Sequence, residues 1–558
     1  MKRSTASALF AILLLAITMR LLPLLQHLHW GSDFGEYYAL TRAIVTDGVL
    51  PSQYGGWGVT YPQFPGLYVV NGAFVFAGAS PDLAATILVP ILSAFAVLPV
   101  FLIAARVTGD DLAALLGAAF VSVIMFHAYT TSHAIPASLG ELLLLGAFVM
   151  FLGLPRNPRL FAPLVLTGLA VVVTHHLATY VLVLAVVSAL VLRAILDPRL
   201  TTRSIRRELA FLAVLLAAAV AFWALYARSF WSLIVENSPF PAIALVLVPV
   251  LLLALAPATI LIRRRLTWRY RPRARSARSA ALVFGLAVAT CFVTVGNAAA
   301  GSVWGTTIRL EWGYLLPFIP TFLFLSLAAA GRRVLDFSRE GIAVSACCVG
   351  LVLSVGFGAL VAPEVIIPYR HLEYLAIPVA VMVGAGARWL ALGVGRRAQL
   401  GAVAAVGLLV AGSALAAYPP PAAMGGFQEG ISSRSVEAAL WVRTHATGLV
   451  AGDHRLSSVL FGFGGVDGTW NREVGFWHTT DAATAMAAMQ QVRLSNRTAR
   501  VDWVAIDADL RAGLQTSPFA PALPLAPAEE AKFFAPPFQK VFDSGYAQVY
   551  FVNWGLAP

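Results

Sequence analysis

Hydrophobic residues occur along most of this chain in blocks of about 20, separated by short polar segments. A block of that length, folded as one helix, crosses the hydrocarbon core of a bilayer. The pattern predicts thirteen membrane spans, with approximate boundaries, over residues 6–25, 84–105, 112–130, 137–153, 160–175, 177–195, 208–227, 240–262, 280–298, 312–330, 341–361, 372–393 and 400–417.

Beyond residue 418 the long apolar blocks give way to short mixed segments. A Pro/Ala/Gly-rich linker comes first, at 418–425. The segments with helix or strand spacing after it are 435–445, 448–451, 501–506 and a final hairpin with Asp543-Ser544-Gly545 at its turn. We therefore predict two regions, an all-α polytopic membrane domain over 1–418 and a small extracytoplasmic α/β domain over 419–558.

The composition supports this division. Of the 558 residues, 59% are hydrophobic and 12% are charged, which is unlike a soluble globular protein. Most arginines fall in alternate loops between the predicted spans, and the opposite loops hold only Arg42, Arg228, Arg309 and Arg370. Positively charged loops stay in the cytoplasm. This predicts a multi-pass protein of the cell membrane with a cytoplasmic N-terminus and an external C-terminal domain.

The densest basic segment is 263–278, RRRLTWRYRPRARSAR. It lies between two predicted spans on the cytoplasmic side. Anionic lipid headgroups next to such a loop explain it better than a nucleic acid would. The lipid bilayer is therefore an expected partner and nucleic acid is not.

A pair of carboxylates follows the first predicted span, in the segment WGSDFGEYY at 30–38. Asp33 and Glu36 are about one helical turn apart in this segment. Carboxylates just outside a membrane span can serve as a general base or as metal ligands. The alternative is a solvated loop in which Asp33 only begins the next helix.

Other ionisable residues lie at nearly every outward turn. Such residues are costly at a membrane boundary and usually face a polar cavity or a partner. Taken singly, His175 or His176 is more simply a helix-end histidine bonded to the backbone. Together the set predicts a polar site on the external side. Its members are His133, Glu141, His175, His176, Arg228, Arg309 and Arg370.

In the C-terminal domain, Asp453 and His454 follow the predicted strand 448–451 and precede a glycine-rich segment. Ligands of α/β units approach the carboxyl ends of the strands. We therefore expect these two residues on the side from which an acceptor arrives.

The layout resembles that of the GT-C membrane glycosyltransferases. Asp33, in the long first external loop 26–83, matches the acidic residue of that family, and YPQFPGLY is similar to its Tyr-Pro stretch. SVEAALWVRTHATGLVAGDHR and the hairpin DSGYAQVYFV resemble the oligosaccharyltransferase catalytic subunit, especially its archaeal form. Two departures stand out. Gly452-Asp453-His454-Arg455 stands near the place of the Trp-Trp-Asp-Tyr-Gly motif, and the second loop has His133 and Glu141 instead of Asp-x-Asp.

The resemblance implies an inverting transfer of a sugar from a polyprenyl-phosphate-linked donor to a glycan or protein acceptor. Asp33 and Glu36 would be the catalytic carboxylates. Arginine forks bind phosphate oxygens well, so Arg370, then Arg309 and Arg228, are the candidates for the donor phosphate. His133, Glu141, His175 and His176 would line the pocket or hold Mg²⁺ or Mn²⁺, unless the arginines carry the phosphate without a metal.

The sequence leaves two alternatives open. If the protein is an enzyme, the alternative is an oligosaccharyltransferase-like protein that transfers a whole glycan in one step. In a different class, a transporter would need polar residues near mid-membrane, and a non-catalytic scaffold would leave Asp33 without a role.

Overall fold

The computed structural model describes residues 2–51, 54–197, 200–237, 242–265, 319–335, 338–360, 370–392, 396–421, 426–470, 474–494, 498–515 and 522–556. Arg309 lies outside these described residues, as do the predicted span 280–298 and most of the arginine-rich loop.

The first region is built from apolar helices joined by short turns. Its helices are α1 Arg3–Leu21, α2 Phe34–Asp47, α3 Gly66–Phe76, α4 Pro81–Leu83, α5 Val89–Ala94, α6 Val97–Thr108, α7 Asp111–Val123, α8 Met125–Thr131, α9 Pro136–Gly153, α10 Phe161–Thr174, α11 His176–Leu196, α12 Arg206–Leu225, α13 Arg228–Asn237, α14 Ala242–Arg265, α15 Ile319–Leu335, α16 Arg339–Leu360, α17 His371–Leu392 and α18 Arg396–Leu415. Within the described residues, six helical stretches are long and apolar enough to cross a membrane, or seven if the bent pair α7–α8 is one span. The chain is a multi-pass membrane protein, and the number thirteen stays a prediction.

One predicted straight span, 112–130, is bent. Its two halves, α7 and α8, meet at 59°. Ile124 between them has an extended backbone (φ −63°, ψ 128°), which interrupts the helical hydrogen bonds. The buried guanidinium of Arg20 in α1 donates to the carbonyl of Ser122, 2.8 Å away, and so satisfies a group that the break leaves without its helical partner. Hydrophobic periodicity reports the length of such a span but not a break of this kind.

Small residues allow α17 to pack closely against its neighbours. A Cβ atom on Gly386 would overlap the carbonyl of Leu327 in α15, and one on Gly331 in α15 would overlap the carbonyl of Met382. Gly384 meets the backbone of Ala113 in α7 in the same way. Glycine at these positions lets helix backbones touch, as is common among membrane helices. The start of α17, which follows Arg370, is held on a tightly packed element.

The C-terminal region carries a small mixed sheet. Its elements are β2 Gly430–Ile431, α19 Ser433–His445, β3 Leu449–Ala451, α20 His454–Val459, α21 Ala482–Gln490, β4 Val492–Arg493, β5 Thr498–Ala499, β6 Val501–Asp507, α22 Ala508–Ala512, α23 Pro527–Glu530, β7 Phe538–Asp543 and β8 Ala547–Val552. The main sheet has the order β3-β6-β8-β7, with β3 parallel to β6 and the other pairs antiparallel. The predicted helix, both predicted strands and the final hairpin are confirmed.

The two regions are joined next to the first apolar helix. Strand β1, His29–Trp30, pairs antiparallel with β2, so that His29 lies opposite Ile431. Gly35 at the start of α2 touches the backbone of Ser458, and a Cβ on Gly35 would overlap the Ser458 carbonyl. These contacts place the segment around Asp33 directly against the C-terminal region.

Candidate active site

Asp33 lies at the junction of the two regions. It occupies the position before α2, yet its side chain makes no capping hydrogen bond to that helix. Its Oδ1 lies 2.6 Å from Nε2 of His454, and its Oδ2 accepts a hydrogen bond of 2.9 Å from the hydroxyl of Tyr61. The Asp33 side chain is still 23% exposed. Its carboxylate thus faces solvent-accessible space while it binds two distant segments, and its side chain does not act as a helix cap.

His454 owes its position to the end of strand β3. The strand is followed by Asp453, whose Oδ1 accepts from the Leu456 amide at 2.8 Å and so caps α20. Its Oδ2 accepts from the Gln515 amide at 3.2 Å. Both oxygens of Asp453 therefore serve the local fold. Of the two residues expected on the acceptor side, His454 is the one that contacts Asp33.

A buried ion pair holds this turn in place. Nη2 of Arg455 lies 2.7 Å and 2.6 Å from the two carboxylate oxygens of Asp507, and both residues are fully buried. Asp507 ends β6, the parallel neighbour of β3, and also caps α22 through the Leu510 amide. The pair ties the ends of the two strands together and thereby fixes the start of α20. Sequence reasoning missed it, although an aspartate at the end of VDWVAID was a visible signal.

Glu36 lies fully buried behind Asp33. Its Oε1 accepts hydrogen bonds from the Tyr54 hydroxyl at 2.7 Å and from the Gly58 amide at 3.2 Å. Burial and the nearby charge of Asp33 raise the pKa of Glu36 to about 8. Glu36 is therefore protonated at neutral pH, so of the two predicted catalytic carboxylates it is Asp33 that is both ionised and partly exposed.

Asp33 and His454 stabilise each other's charged forms. Burial alone would raise the pKa of Asp33, but the hydrogen bond and charge of His454, the Tyr61 hydroxyl and the charge of Arg370 outweigh it and lower that pKa. Burial would lower the pKa of His454, but the hydrogen bond and charge of Asp33 raise it instead. The two side chains form an ion pair at the junction.

Arg370 precedes α17 and has an exposed side chain. Its positive charge is close enough to Asp33 to lower the pKa of that carboxyl. The next residue, His371, is buried, and its Nε2 lies 2.9 Å from Oγ of Ser354. This contact anchors the start of α17 and hence the backbone of Arg370. Arg228, by contrast, is exposed and donates through Nε to the Leu225 carbonyl at 3.0 Å.

His133 contacts a residue that sequence reasoning missed. Its Nε2 lies 3.6 Å from Oε1 of Glu429, in the segment just before β2. Oε2 of Glu429 accepts a hydrogen bond of 2.6 Å from the backbone amide of Ser32. Burial would raise the pKa of Glu429, but the charge of His133 and the hydrogen bond from the Ser32 amide lower it. His133 thus acts on the Ser32–Asp33 segment through Glu429.

The remaining candidates lie in the membrane helices. Glu141 is buried, and its Oε1 lies 3.0 Å from Nε2 of His127, whose Nδ1 lies 2.6 Å from the guanidinium of Arg20. His175 caps α11, because its Nδ1 accepts from the Ala178 amide at 3.3 Å. His176 packs against aromatic rings, including that of Phe230, at a centroid distance of 4.5 Å. These contacts describe a structural role for all three residues.

Comparison with known proteins adds to this geometry. No family model matches the chain, and no curated protein matches its sequence. Among solved structures, the oligosaccharyltransferase AglB from Archaeoglobus fulgidus, in complex with an inhibitory peptide and a dolichol-phosphate, aligns with a TM-score of 0.59. The alignment covers 91% of this chain and 70% of that chain, at 14% sequence identity. The chain has the overall fold of this archaeal membrane enzyme.

Two further structures of the same archaeal enzyme align equally well. One is tethered to an acceptor peptide containing the NVT sequon, with a TM-score of 0.59, 14% identity, and coverage of 91% and 70%. The other is a complex with Zn and sulfate, with a TM-score of 0.59, 14% identity, and coverage of 90% and 68%. At this identity the likeness establishes the fold.

The side chains around Asp33 decide whether the site could hold a metal ion. Among the residues that the structure describes, no three His, Cys, Asp or Glu side chains converge as a metal would require. Oδ1 of Asp33 is engaged by His454 and Oδ2 by Tyr61. The described side chains therefore do not assemble a metal centre around Asp33.

Proposed function

We propose that this protein is an inverting membrane glycosyltransferase. It transfers a sugar from a polyprenyl-phosphate-linked donor to an acceptor on the external face of the membrane. The GT-C fold supports this proposal, and the archaeal enzyme of the same fold was solved with a dolichol-phosphate. The observation that carries it is the partly exposed carboxylate of Asp33, paired with His454 and close to the charge of Arg370.

Asp33 acts as the general base. The acceptor oxygen attacks the anomeric carbon from the face opposite the phosphate, and the bond between that carbon and the phosphate oxygen breaks. The electron pair of the broken bond stays on the phosphate, and the acceptor proton passes to the Asp33 carboxylate. Hydrogen bonds from His454 and Tyr61 hold that carboxylate in one orientation.

Arg370 offsets the negative charge that develops on the leaving phosphate. A guanidinium can bind two phosphate oxygens at once, and such preorganised charge stabilises a transition state. Arg370 is suited to this role because its charge already acts on Asp33. Arg309 and Arg228 remain further candidates for the same phosphate. A bound Mg²⁺ or Mn²⁺ would add positive charge at the same phosphate.

The orientation in the membrane follows from the arginine distribution. The N-terminus is cytoplasmic, and residues 419–558 form an external domain over the membrane domain 1–418. A reporter fused after Arg278 should be cytoplasmic, and one fused after Gly425 should be external. Finding both on the same side of the membrane would refute this orientation.

An oligosaccharyltransferase-like transfer of a whole glycan is the second candidate. The fold favours it, because the archaeal enzyme was solved with a tethered peptide containing the NVT sequon. The segment Gly452-Asp453-His454-Arg455, near the place of the motif Trp-Trp-Asp-Tyr-Gly, argues against asparagine as the acceptor. A sequon peptide as acceptor distinguishes the two candidates.

The proposed function is tested by replacing Asp33 with asparagine. The purified protein is supplied with a panel of polyprenyl-phosphate sugars, and release of polyprenyl phosphate is measured. Asp33→Asn should lower turnover by about 10²–10⁴-fold, since asparagine cannot accept the proton, while donor binding persists. Asp47→Asn, in the exposed last turn of the same helix, is the matched control. Near-normal turnover in Asp33→Asn would refute the catalytic assignment.

A further inference from the structure

The turn Gly452-Asp453-His454-Arg455 stands near the place of the Trp-Trp-Asp-Tyr-Gly motif. Its polar side chains are largely engaged within the protein, which leaves few groups to bind a peptide. Both carboxylate oxygens of Asp453 accept hydrogen bonds from backbone amides of its own region. Arg455 is buried on Asp507. His454 is the side chain of this turn that reaches Asp33, and it does so through Nε2 alone.

Two tryptophans flank His454. The ring of Trp57, from the first external loop, meets the imidazole edge-on at a centroid distance of 4.9 Å. The ring of Trp470, from the glycine-rich segment, lies 5.9 Å from it. Trp57 is partly exposed, as Asp33 is, whereas Trp470 is buried. A ligand that approaches Asp33 therefore passes an aromatic face.

Polar atoms around His454 lack partners. Among the described residues, Nδ1 of His454 and Nε1 of Trp470 are buried without a hydrogen bond. Leaving such buried groups unpaired costs free energy, which hydrogen bonds to a ligand would recover. Nδ1 of a charged imidazole and the indole nitrogen are both donors. One donor belongs to His454, the partner of Asp33, and the other to Trp470, whose ring lies beside His454.

The backbone of Trp470 is held in an unusual conformation. Its φ is +57°, in the left-handed region that bulky residues rarely adopt. Its amide donates to Oγ of Ser457 at 2.9 Å, which stabilises this conformation. Strain of this kind persists where the surroundings enforce it and is concentrated at binding sites. Here it turns the indole toward His454.

We propose that Asp33, Trp57, His454 and Trp470 form an acceptor subsite for a carbohydrate, which binds through ring hydroxyl groups rather than through an asparagine side chain. This inference rests on the proposed function. A sugar ring places its C–H face on an aromatic ring. One sugar hydroxyl can accept a hydrogen bond from His454 or Trp470, and another can donate a hydrogen bond to Asp33.

The reaction also favours a hydroxyl acceptor. The lone pair of an amide nitrogen is delocalised into its carbonyl group, so that nitrogen is a poor nucleophile. A hydroxyl needs only one base. As the acceptor oxygen bonds to the anomeric carbon, its proton moves to Asp33 and the sugar–phosphate bond gives its electron pair to the phosphate. The products are a glycoside and a polyprenyl phosphate, and Asp33 then releases the proton to water.

Direct binding to the full-length protein in detergent tests this subsite. The probes are maltose, cellobiose and mannobiose, with an Asn-Val-Thr peptide as the competing class, and dissociation constants are measured by saturation-transfer NMR. Wild-type protein should bind at least one disaccharide and not the peptide. Trp470→Phe keeps the ring but removes the donor, and should weaken disaccharide binding about tenfold. Trp441→Phe, in a partly buried tryptophan stacked on His445, should bind like wild type.

The outcomes separate this inference from the proposed function. Peptide binding, no disaccharide binding, or equal affinities for wild type and Trp470→Phe would each overturn the subsite. Donor cleavage by water, with no acceptor present, is measured on the same preparations. Cleavage without disaccharide binding would refute the subsite and leave the proposed function intact. Disaccharide binding that depends on Trp470, without donor cleavage, would support the subsite and count against the proposed function.

Discussion

Glu429 holds the backbone amide of Ser32 in a hydrogen bond of 2.6 Å, although 397 positions separate the two residues. The other oxygen of the same carboxylate lies 3.6 Å from His133. Ser32 directly precedes Asp33, so the C-terminal region binds the backbone one residue from the proposed base. The antiparallel pair β1–β2 also holds the preceding residues, His29 and Trp30.

Glu429 is therefore a positioning residue for Asp33. Glu429→Ala removes the acceptor of the Ser32 amide and the partner of His133, and should lower kcat about tenfold because Asp33 loses its fixed orientation. The KM for the donor should stay the same. Glu429→Gln, which keeps an acceptor oxygen, should recover part of the rate.

The exposed Glu437, in the nearby helix α19, gives the control Glu437→Ala. Steady-state rates with a polyprenyl-phosphate sugar measure all three variants. Equal loss in Glu429→Ala and Glu429→Gln would count against positioning, and so would a change confined to the donor KM.

Arg370→Lys should weaken use of the lipid donor. Lysine keeps the charge but cannot bind two phosphate oxygens in a planar fork. We expect the donor KM to rise about tenfold, as for the loss of one charge-assisted hydrogen bond. Arg42→Lys, in α2 and beside the Tyr38 ring, is the control. If Arg370→Ala cleaves the donor at the wild-type rate, Arg370 has no part in the site.

The sequence could predict elements but few of the contacts that build the site. Helical apolar blocks and the strand at 501–506 follow from periodicity, which depends on many residues at once. The acidic position at Asp33 could be found from its place after the first span. The pairing of Asp33 with His454 could not, because it joins single residues 421 positions apart with no periodic signal. Glu429 was missed for the same reason, since β1 and β2 have only two residues each.

The Arg455–Asp507 pair should be a large contributor to the stability of the C-terminal region. Removing one partner of a buried ion pair leaves the other charge buried, which typically costs about 3–5 kcal/mol. Arg455→Met should therefore lower the thermal unfolding midpoint strongly. The double variant with Asp507→Asn should recover part of that loss, because no uncompensated charge remains.

An exposed ion pair in the same sheet provides the comparison. Arg500 lies 3.1 Å from Asp502, and more than half of its side chain is exposed. Arg500→Met should change the stability by less than about 1 kcal/mol. Thermal unfolding in detergent, followed by tryptophan fluorescence, measures each variant. Similar midpoints for Arg455→Met and Arg500→Met would contradict the structural role of the buried pair.

The Asp33–His454 pair should make stability depend on pH in a defined direction. The pKa of His454 is raised from 6.5, so its contribution is fully present below pH 6.5 and is lost as the pH rises through the folded value. The pKa of Asp33 is lowered from 3.8, so its contribution is present above pH 3.8 and is lost as the pH falls through the folded value. The pair is complete between these limits.

Unfolding midpoints from about pH 5 to about pH 9 test this dependence. The midpoint of the wild type should fall above pH 6.5 more steeply than that of His454→Gln, since glutamine can still donate to Asp33 but does not titrate. Glu36, with its pKa raised to about 8, lowers the stability of both proteins as the pH rises, so the difference between their slopes reports His454. His445→Gln, at an exposed histidine, should follow the wild type. Parallel curves for wild type and His454→Gln would show that His454 carries no charge in the folded protein, and the ion pair with Asp33 would then have to be abandoned.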